Sequence, residues 1–307
     1  MEHLWIAASV GAAFFQALRH ASLKELNRHL SVMVTTYARV LFGLPLLIGY
    51  LVFALQWSGE RMPEIGPTFL AYSCLAAIGQ FAGTALMIRL FKLGNFAVGV
   101  MLTRTDVVLT AIIGSLLFSE VISAWGWVAI VITVVGVMIS SAGRLPLKSV
   151  IGQSRDFRDV IFGLPTQIGL ASGLVFAISY LTLRESILSM PAGTGPLVRS
   201  AVAAVAMTVW TFLILGIWLL VREPDGLARM RQHLGLCTFV GAASAFGTMG
   251  WFFATALANA SYVAAVAQVQ VAFTLLISRY WFQERITALE LVGIATILAG
   301  VLMFRLV

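Results

Sequence analysis

Long apolar runs constrain this chain more than any other feature. Residues 32–56 carry a single charged side chain, Arg39, and residues 122–141 carry none. The hydrocarbon core of a bilayer is about 30 Å thick and takes about 20 apolar residues of helix to cross. Stretch after stretch meets that length, and the connectors are too short to hold a soluble domain. Backbone polar groups in hydrocarbon must be satisfied within the protein, so such runs read as helices. The spacing predicts ten, in two sets of five. The first set is 4–22, 32–56, 67–91, 95–118 and 122–141; the second is 163–187, 196–221, 234–257, 260–282 and 286–306. Pro63, Pro67, Pro191, Pro196 and Pro224 fall at or near the boundaries, where a missing amide hydrogen costs a helix least.

Charge excludes several alternatives. Only 11% of the 307 residues are charged, against roughly 25% in soluble domains. The net charge of +7 is spread over connectors, at Lys24 and Arg28, Arg144 and Lys148, Arg155 and Arg158, and Arg222, Arg229 and Arg231. That pattern faces anionic lipid head groups, and without a basic groove interleaved with aromatics it excludes a nucleic-acid partner. Cys74 and Cys237 lie far apart in apolar segments, and His3, His20, His29 and His233 share no ligand spacing. No metal or cofactor is expected. The N-terminus has Glu2 in place of a basic region and no A-x-A site, so it reads as a first membrane helix and not as a cleavable signal. The tryptophans, such as Trp57, Trp125 and Trp218, mark interfaces.

A repeat is visible by eye. A shift of 164 residues places Gly83-Thr84 on Gly247-Thr248, Asn95 on Asn259, Glu120 on Glu284, and Gly136-Val137 on Gly300-Val301. Arg39 and Arg199 correspond at a shift of 160. The chain therefore reads as an all-α integral membrane protein of two five-helix repeats, 1–141 and 163–307, joined by a polar connector at 142–162. An odd number of spans per repeat sends the second copy through the bilayer the opposite way. Inverted repeats of this kind recur in secondary transporters, with the site near the midplane.

Charges placed deep in a membrane are costly and need a reason. Arg104 and Asp106 lie mid-way along the fourth segment, and the repeat places Gln268 and Gln270 opposite them on the ninth. These two helices are expected to face one polar cavity, with Asp106 meeting a cationic substrate group or a coupling proton. The bland reading is that Arg104 and Asp106 tie helices together. Arg39 and Arg199 are candidate cavity-rim cations, against simple snorkelling. Trp251 and Tyr262 are further candidates for the cavity wall. Glu120 and Glu284, each in a tight connector before a helix, read as structural through the helix dipole, and Asn95 and Asn259 likewise. Gly83, Gly136, Gly247 and Gly300 read as close helix contacts; Gly79 does not recur, its counterpart being Ala243.

Two segments carry a resemblance. Phe118-Ser119-Glu120-Val121-Ile122-Ser123, followed by Gly136-Val137, resembles the end of an EamA-type repeat; Phe282-Gln283-Glu284-Arg285-Ile286-Thr287, followed by Gly300-Val301, resembles a second copy. The chain is thus similar throughout to the ten-helix members of the drug/metabolite transporter superfamily. It departs in having Ser119 and Gln283 where the family usually has glycine before the glutamate. It also has Val107 and Val271 in the region where a proline is often found. The resemblance implies secondary transport, often export, of a small metabolite, amino acid-like compound or drug across a cell (inner) membrane, without covalent chemistry or cofactor. Proton coupling and a monomeric path of ten helices fit that expectation. The alternatives are a channel-like facilitator and, behind it, a membrane-embedded lipid enzyme, for which the sequence offers no nucleophile or metal constellation. The basic connectors place both termini outside, whereas the resemblance implies cytoplasmic termini, and both orientations stay open.

Overall fold

A computed structural model of the chain describes residues 3–92, 105–142, 164–281, 283 and 287–304. Every regular element among them is helical: α1 (Leu4–Leu26), α2 (Val32–Ser58), α3 (Pro67–Lys92), α4 (Thr105–Leu117), α5 (Ala124–Ala142), α6 (Leu164–Leu188), α7 (Pro196–Arg222), α8 (Gly226–Met230), α9 (Leu234–Leu257), α10 (Ala260–Val266), α11 (Gln270–Trp281) and α12 (Ala288–Met303). Two 3-10 turns, Arg231–His233 and Ala267–Val269, join α8 to α9 and α10 to α11. Among the described residues six stretches are long and apolar enough to cross a bilayer: Val32–Ser58, Pro67–Met87, Thr166–Leu188, Pro196–Arg222, Gly226–Leu257 and Ala260–Ile277. Thr105–Leu117, Ala124–Ser140 and Ala288–Met303 are shorter apolar helices. Residues 95–104 of the expected fourth span and nearly all of the 142–162 connector lie outside the described residues.

Local chemistry sets the helix ends. The Ser31 hydroxyl accepts the Val34 amide at 3.3 Å to open α2, and Gly59, at φ 68°, closes it in the left-handed region. Pro196 opens α7 at a position with no amide to satisfy. Thr287 and Glu290 form a reciprocal capping box on α12. The helices α2 and α7 are each 27 residues long, and both their starts and their ends are 164 residues apart. The repeat therefore survives as matched structure.

The chain divides into two compact units. The first comprises Met1–Ala77, Thr182–Ala258 and Phe273–Phe282; the second comprises Ile78–Leu181, Asn259–Ala272 and Gln283–Val307. Each draws on both sequence repeats, so the repeats expected at 1–141 and 163–307 are not the compact units. In the first unit α2 runs antiparallel to α7: the Tyr50 and Ser200 hydroxyls pair at 2.9 Å, and Tyr37 stacks on Phe212. Carboxylates after each helix meet the start of the other. Glu60 accepts the Gly195 amide at 2.9 Å, and Glu223 accepts the Ser31 hydroxyl at 2.7 Å. Ala201, Ala203, Ala204 and Ala245 are buried in the core of this unit beside Leu47, Phe69 and Ile187, while Trp57, Ile217 and Leu220 lie exposed. Large apolar side chains on the outside and small residues where helices meet are what helices in lipid are expected to show.

In the second unit the glycines carry the contacts. A Cβ on Gly136 would sit 2.6 Å from the Ile297 amide nitrogen and 2.9 Å from the Gly293 carbonyl; one on Gly300 would sit 2.9 Å from the Thr133 nitrogen and 3.0 Å from the Ala129 carbonyl. A shift of 164 carries 129, 133 and 136 onto 293, 297 and 300, so this is one contact read twice. The partners run in opposite chain directions, so α5 and α12 are antiparallel and exchange under a two-fold rotation perpendicular to both. For helices that cross a bilayer such an axis lies in the membrane plane. The same register links Gly83, packed on Phe176 in this unit, with Gly247, packed beside Ala12 in the first. Gly79 packs on Ser179.

Candidate functional site

The sequence predicts an unbroken ninth span at 260–282, and here the structure differs. The helix is interrupted at Ala267–Val269 by a 3-10 turn with Gln268 at its centre. Neither proline nor glycine causes it. The Gln268 side-chain amide donates to the Ala264 carbonyl at 3.1 Å, competing with its own backbone amide for that acceptor, and insertion of a side chain into the helical ladder is a recognised source of breaks. Mid-helix 3-10 turns frequently mark functional hinges.

Gln268 and Gln270 are both buried, with 4% and 5% of their surfaces accessible. The Gln268 NH2 group faces Ala264, so its Oε1 points the other way, and among the described residues nothing donates to it. Turning the amide over would set two oxygens against one another, so the orientation is fixed by the contact. A buried acceptor left unpaired costs about 1–3 kcal/mol.

Asp106 belongs to the same compact unit. It lies in the first turn of α4, is 5% accessible, and its Oδ1 accepts the Val107 amide at 2.8 Å. Thr110 donates to its carbonyl at 2.6 Å. The shift of 164 places Gln270 on Asp106. Asp106 on α4 and Gln270 on α11, just past the break, are therefore matching places in the two repeats. Arg104 lies outside the described residues, as do Asn95 and Glu284.

The remaining candidates sort by what their side chains already hold. Trp251 donates its indole N–H to Gln16 Oε1 at 2.5 Å in the first unit. Tyr262 is buried, its hydroxyl accepts the Ser123 amide at 3.0 Å, and its ring packs on Phe304 and over Gly126. Arg199 donates to the Pro191 carbonyl at 2.8 Å, tying the start of α7 to the loop before it. Arg39 is half-buried in the second turn of α2, and none of the described residues accepts from it. Since α2 and α7 match at a shift of 164, Arg199 lies one helical turn nearer its helix start than Arg39, and the two arginines are not at equal depth.

Glu120 corrects a detail of its expected role. Its carboxylate reaches the start of a helix 140 residues further along the chain. Its Oε1 accepts the Ala260 amide at 2.7 Å, and its Oε2 accepts the Ser261 amide at 3.4 Å and the Ser261 hydroxyl. The carboxylate thus caps α10, the first half of the interrupted span, while Asn259 donates to the Val121 carbonyl at 3.0 Å. Sequence reasoning missed Arg184, which donates to the Thr255 carbonyl at 3.0 Å and to the Ala258 carbonyl, at the negative end of α9. Its signal was available: it is the only basic residue within 163–187.

The model of the EamA-like transporter family matches residues 3–142 and again 166–306. A UDP-galactose transporter homolog from Kluyveromyces lactis is 34% identical over 82 residues, 27% of this chain and 23% of its own length. This chain thus spans about a quarter of that curated relative. A solved crystal structure superposes with a TM-score of 0.67 over 99% of this chain and 96% of its own, at 12% identity. At that identity the likeness is one of fold.

Proposed function

Because the chain belongs to the EamA-like transporter family, a family of multi-pass membrane transporters, we propose that it is a secondary active transporter of a small metabolite, amino acid-like compound or drug. It crosses the membrane ten times as two inverted repeats and works by alternating access. The observation that carries this reading is the interruption of the ninth span at Ala267–Val269, with buried Gln268 and Gln270 beside it and Asp106 at the repeat-related position of α4. Broken helices near mid-membrane free polar groups to meet a solute. A buried carboxylate in an apolar protein is retained against its cost when it binds a cation or a proton. The reading includes export across the cell membrane, with a proton exchanged at Asp106.

The test compares metabolites in medium and cells expressing wild type or Asp106→Asn at equal membrane levels, followed by counterflow in proteoliposomes. A compound class shifted by wild type and not by the variant, with saturable counterflow, supports the reading. Equal shifts by both proteins would make Asp106 a structural residue. Flux without counterflow would indicate a channel-like facilitator.

A further inference from the structure

We propose that Arg39 anchors an oxyanion site where α2 meets α9, taking the carboxylate or phosphate group of a solute or of a lipid head group. The proposal goes beyond the transporter reading, since an oxyanion bound there need not be carried. Arg39 stands on the face of α2 that packs on α9. It lies one turn before Gly43, which together with Phe42 packs on Gly241. A guanidinium carries five N–H groups, and among the described residues nothing accepts from this one. An unpaired charge in an apolar protein is costly. The planar fork takes a carboxylate or a phosphate through two parallel N–H bonds.

The repeat supplies the comparison. A shift of 164 places Ala203 on Arg39, and His233, Val240 and Gly241 on Phe69, Ala76 and Ala77. In one copy Ala203, Phe69, Ala76 and Ala77 are buried in a single apolar cluster, so that place is closed with hydrocarbon and the fold does not need a charge in it. In the other copy the matching positions hold Arg39 and His233. The His233 ring stacks on that of His29 with centroids 4.5 Å apart, at the end where α2 and α9 both begin. Side chains lean toward the start of their own helix, so the Arg39 guanidinium is directed to that end. Of the described carboxylates in the segments that meet there, Glu25 pairs with Arg28 at 2.9 Å, Glu223 pairs with Arg229 at 3.0 Å, and Asp225 lies exposed. The imidazoles and the spare guanidinium leave this end suited to an anion.

The experiment measures thermal stabilisation of the purified full chain in neutral detergent, at constant ionic strength and against chloride. The soluble probes are acetate, benzoate, inorganic phosphate and phenyl phosphate; in nanodiscs, phosphatidylglycerol is compared with phosphatidylcholine. At least one oxyanion should stabilise wild type saturably and bind Arg39→Gln, and Arg39→Ala with the other copy's residue, severalfold or more weakly. Arg39-dependent stabilisation by a soluble probe assigns the site to a solute, and by phosphatidylglycerol alone to a head group. An equal response from wild type and Arg39→Gln would overturn the proposal, as would no response to any probe. Should both variants fail to fold, phenylglyoxal labelling of Arg39 in wild type, read by peptide mass spectrometry, decides instead. The stabilising anion should protect Arg39 severalfold, and unchanged labelling would overturn the site. Counterflow in proteoliposomes separates this from the transporter reading. Arg39-dependent binding without any exchange keeps the site and removes the transport, whereas exchange without Arg39-dependent binding does the reverse.

Discussion

The carboxylate of Glu120 accepts the backbone amide of Ala260 at 2.7 Å across 140 residues of chain. One side chain thereby joins the connector after α4 to the start of the interrupted span. It neutralises donors that a helix start leaves unsatisfied, and it does so in a buried place where water cannot substitute. Charged acceptors form the stronger class of hydrogen bond. Glu120→Gln should lower unfolding stability by about 1–2 kcal/mol. Thermal unfolding in detergent, followed with intact membrane expression, measures it; an unchanged midpoint would remove Glu120 from the cap.

The α5–α12 crossing makes a second prediction. At Gly300 an added methyl would collide with Thr133, and at Gly136 with the backbone of Ile297. Gly300→Ala and Gly136→Ala should each cost about 1–3 kcal/mol through overpacking. Gly49, with nothing near its missing Cβ, is the control within a spanning helix. Gly49→Ala should be neutral or gain up to about 1 kcal/mol. Similar losses at all three positions would mean that helix propensity, and not contact, explains the effect.

Ser119 and Gln283 hold φ values of 52° and 54°, at positions 164 residues apart. Both occupy the place before the motif glutamate, where a left-handed backbone favours glycine. Ser119→Gly and Gln283→Gly should each stabilise the fold by about 0.5–1 kcal/mol, once glycine's larger unfolded-state entropy is subtracted. Denaturation midpoints of the two single variants decide it, and a loss at either would contradict the backbone strain.

The two arginines should part company. Arg199 already donates to Pro191, so Arg199→Gln should cost about 1 kcal/mol of stability while leaving solute affinity alone. Arg39 is half-buried without an acceptor among the described residues. Arg39→Gln should change the apparent solute affinity severalfold with the fold intact. Affinity from counterflow and melting in parallel distinguish the two; matched effects would place both arginines in the same role.

Much of this protein was legible from its residues. Apolar run length marks the helical, membrane-embedded character of the chain, because hydrocarbon admits only backbones satisfied within the protein. The recurrence of Gly83 as Gly247 and of Gly136 as Gly300 pointed to close contacts, because small side chains that recur among apolar ones mark places where backbones approach. The family departures at Ser119 and Gln283 were visible as letters, and their backbone cost was not.

Tertiary structure decided the partners. Nothing near Glu120 in sequence marks Ala260 as its contact, since capping depends on which helix start packing brings within 3 Å. Gln268 read as a cavity-facing amide on an unbroken helix; the break and, among the described residues, an oxygen without a donor appear only with its contact to Ala264. Arg39 and Arg199 looked equivalent until helix ends set their depths. Hydrophobicity and periodicity are local properties carried by the chain alone. Hydrogen-bond partnership and burial are settled between segments far apart in sequence, and these determine which polar groups are spent on the fold and which remain for a solute.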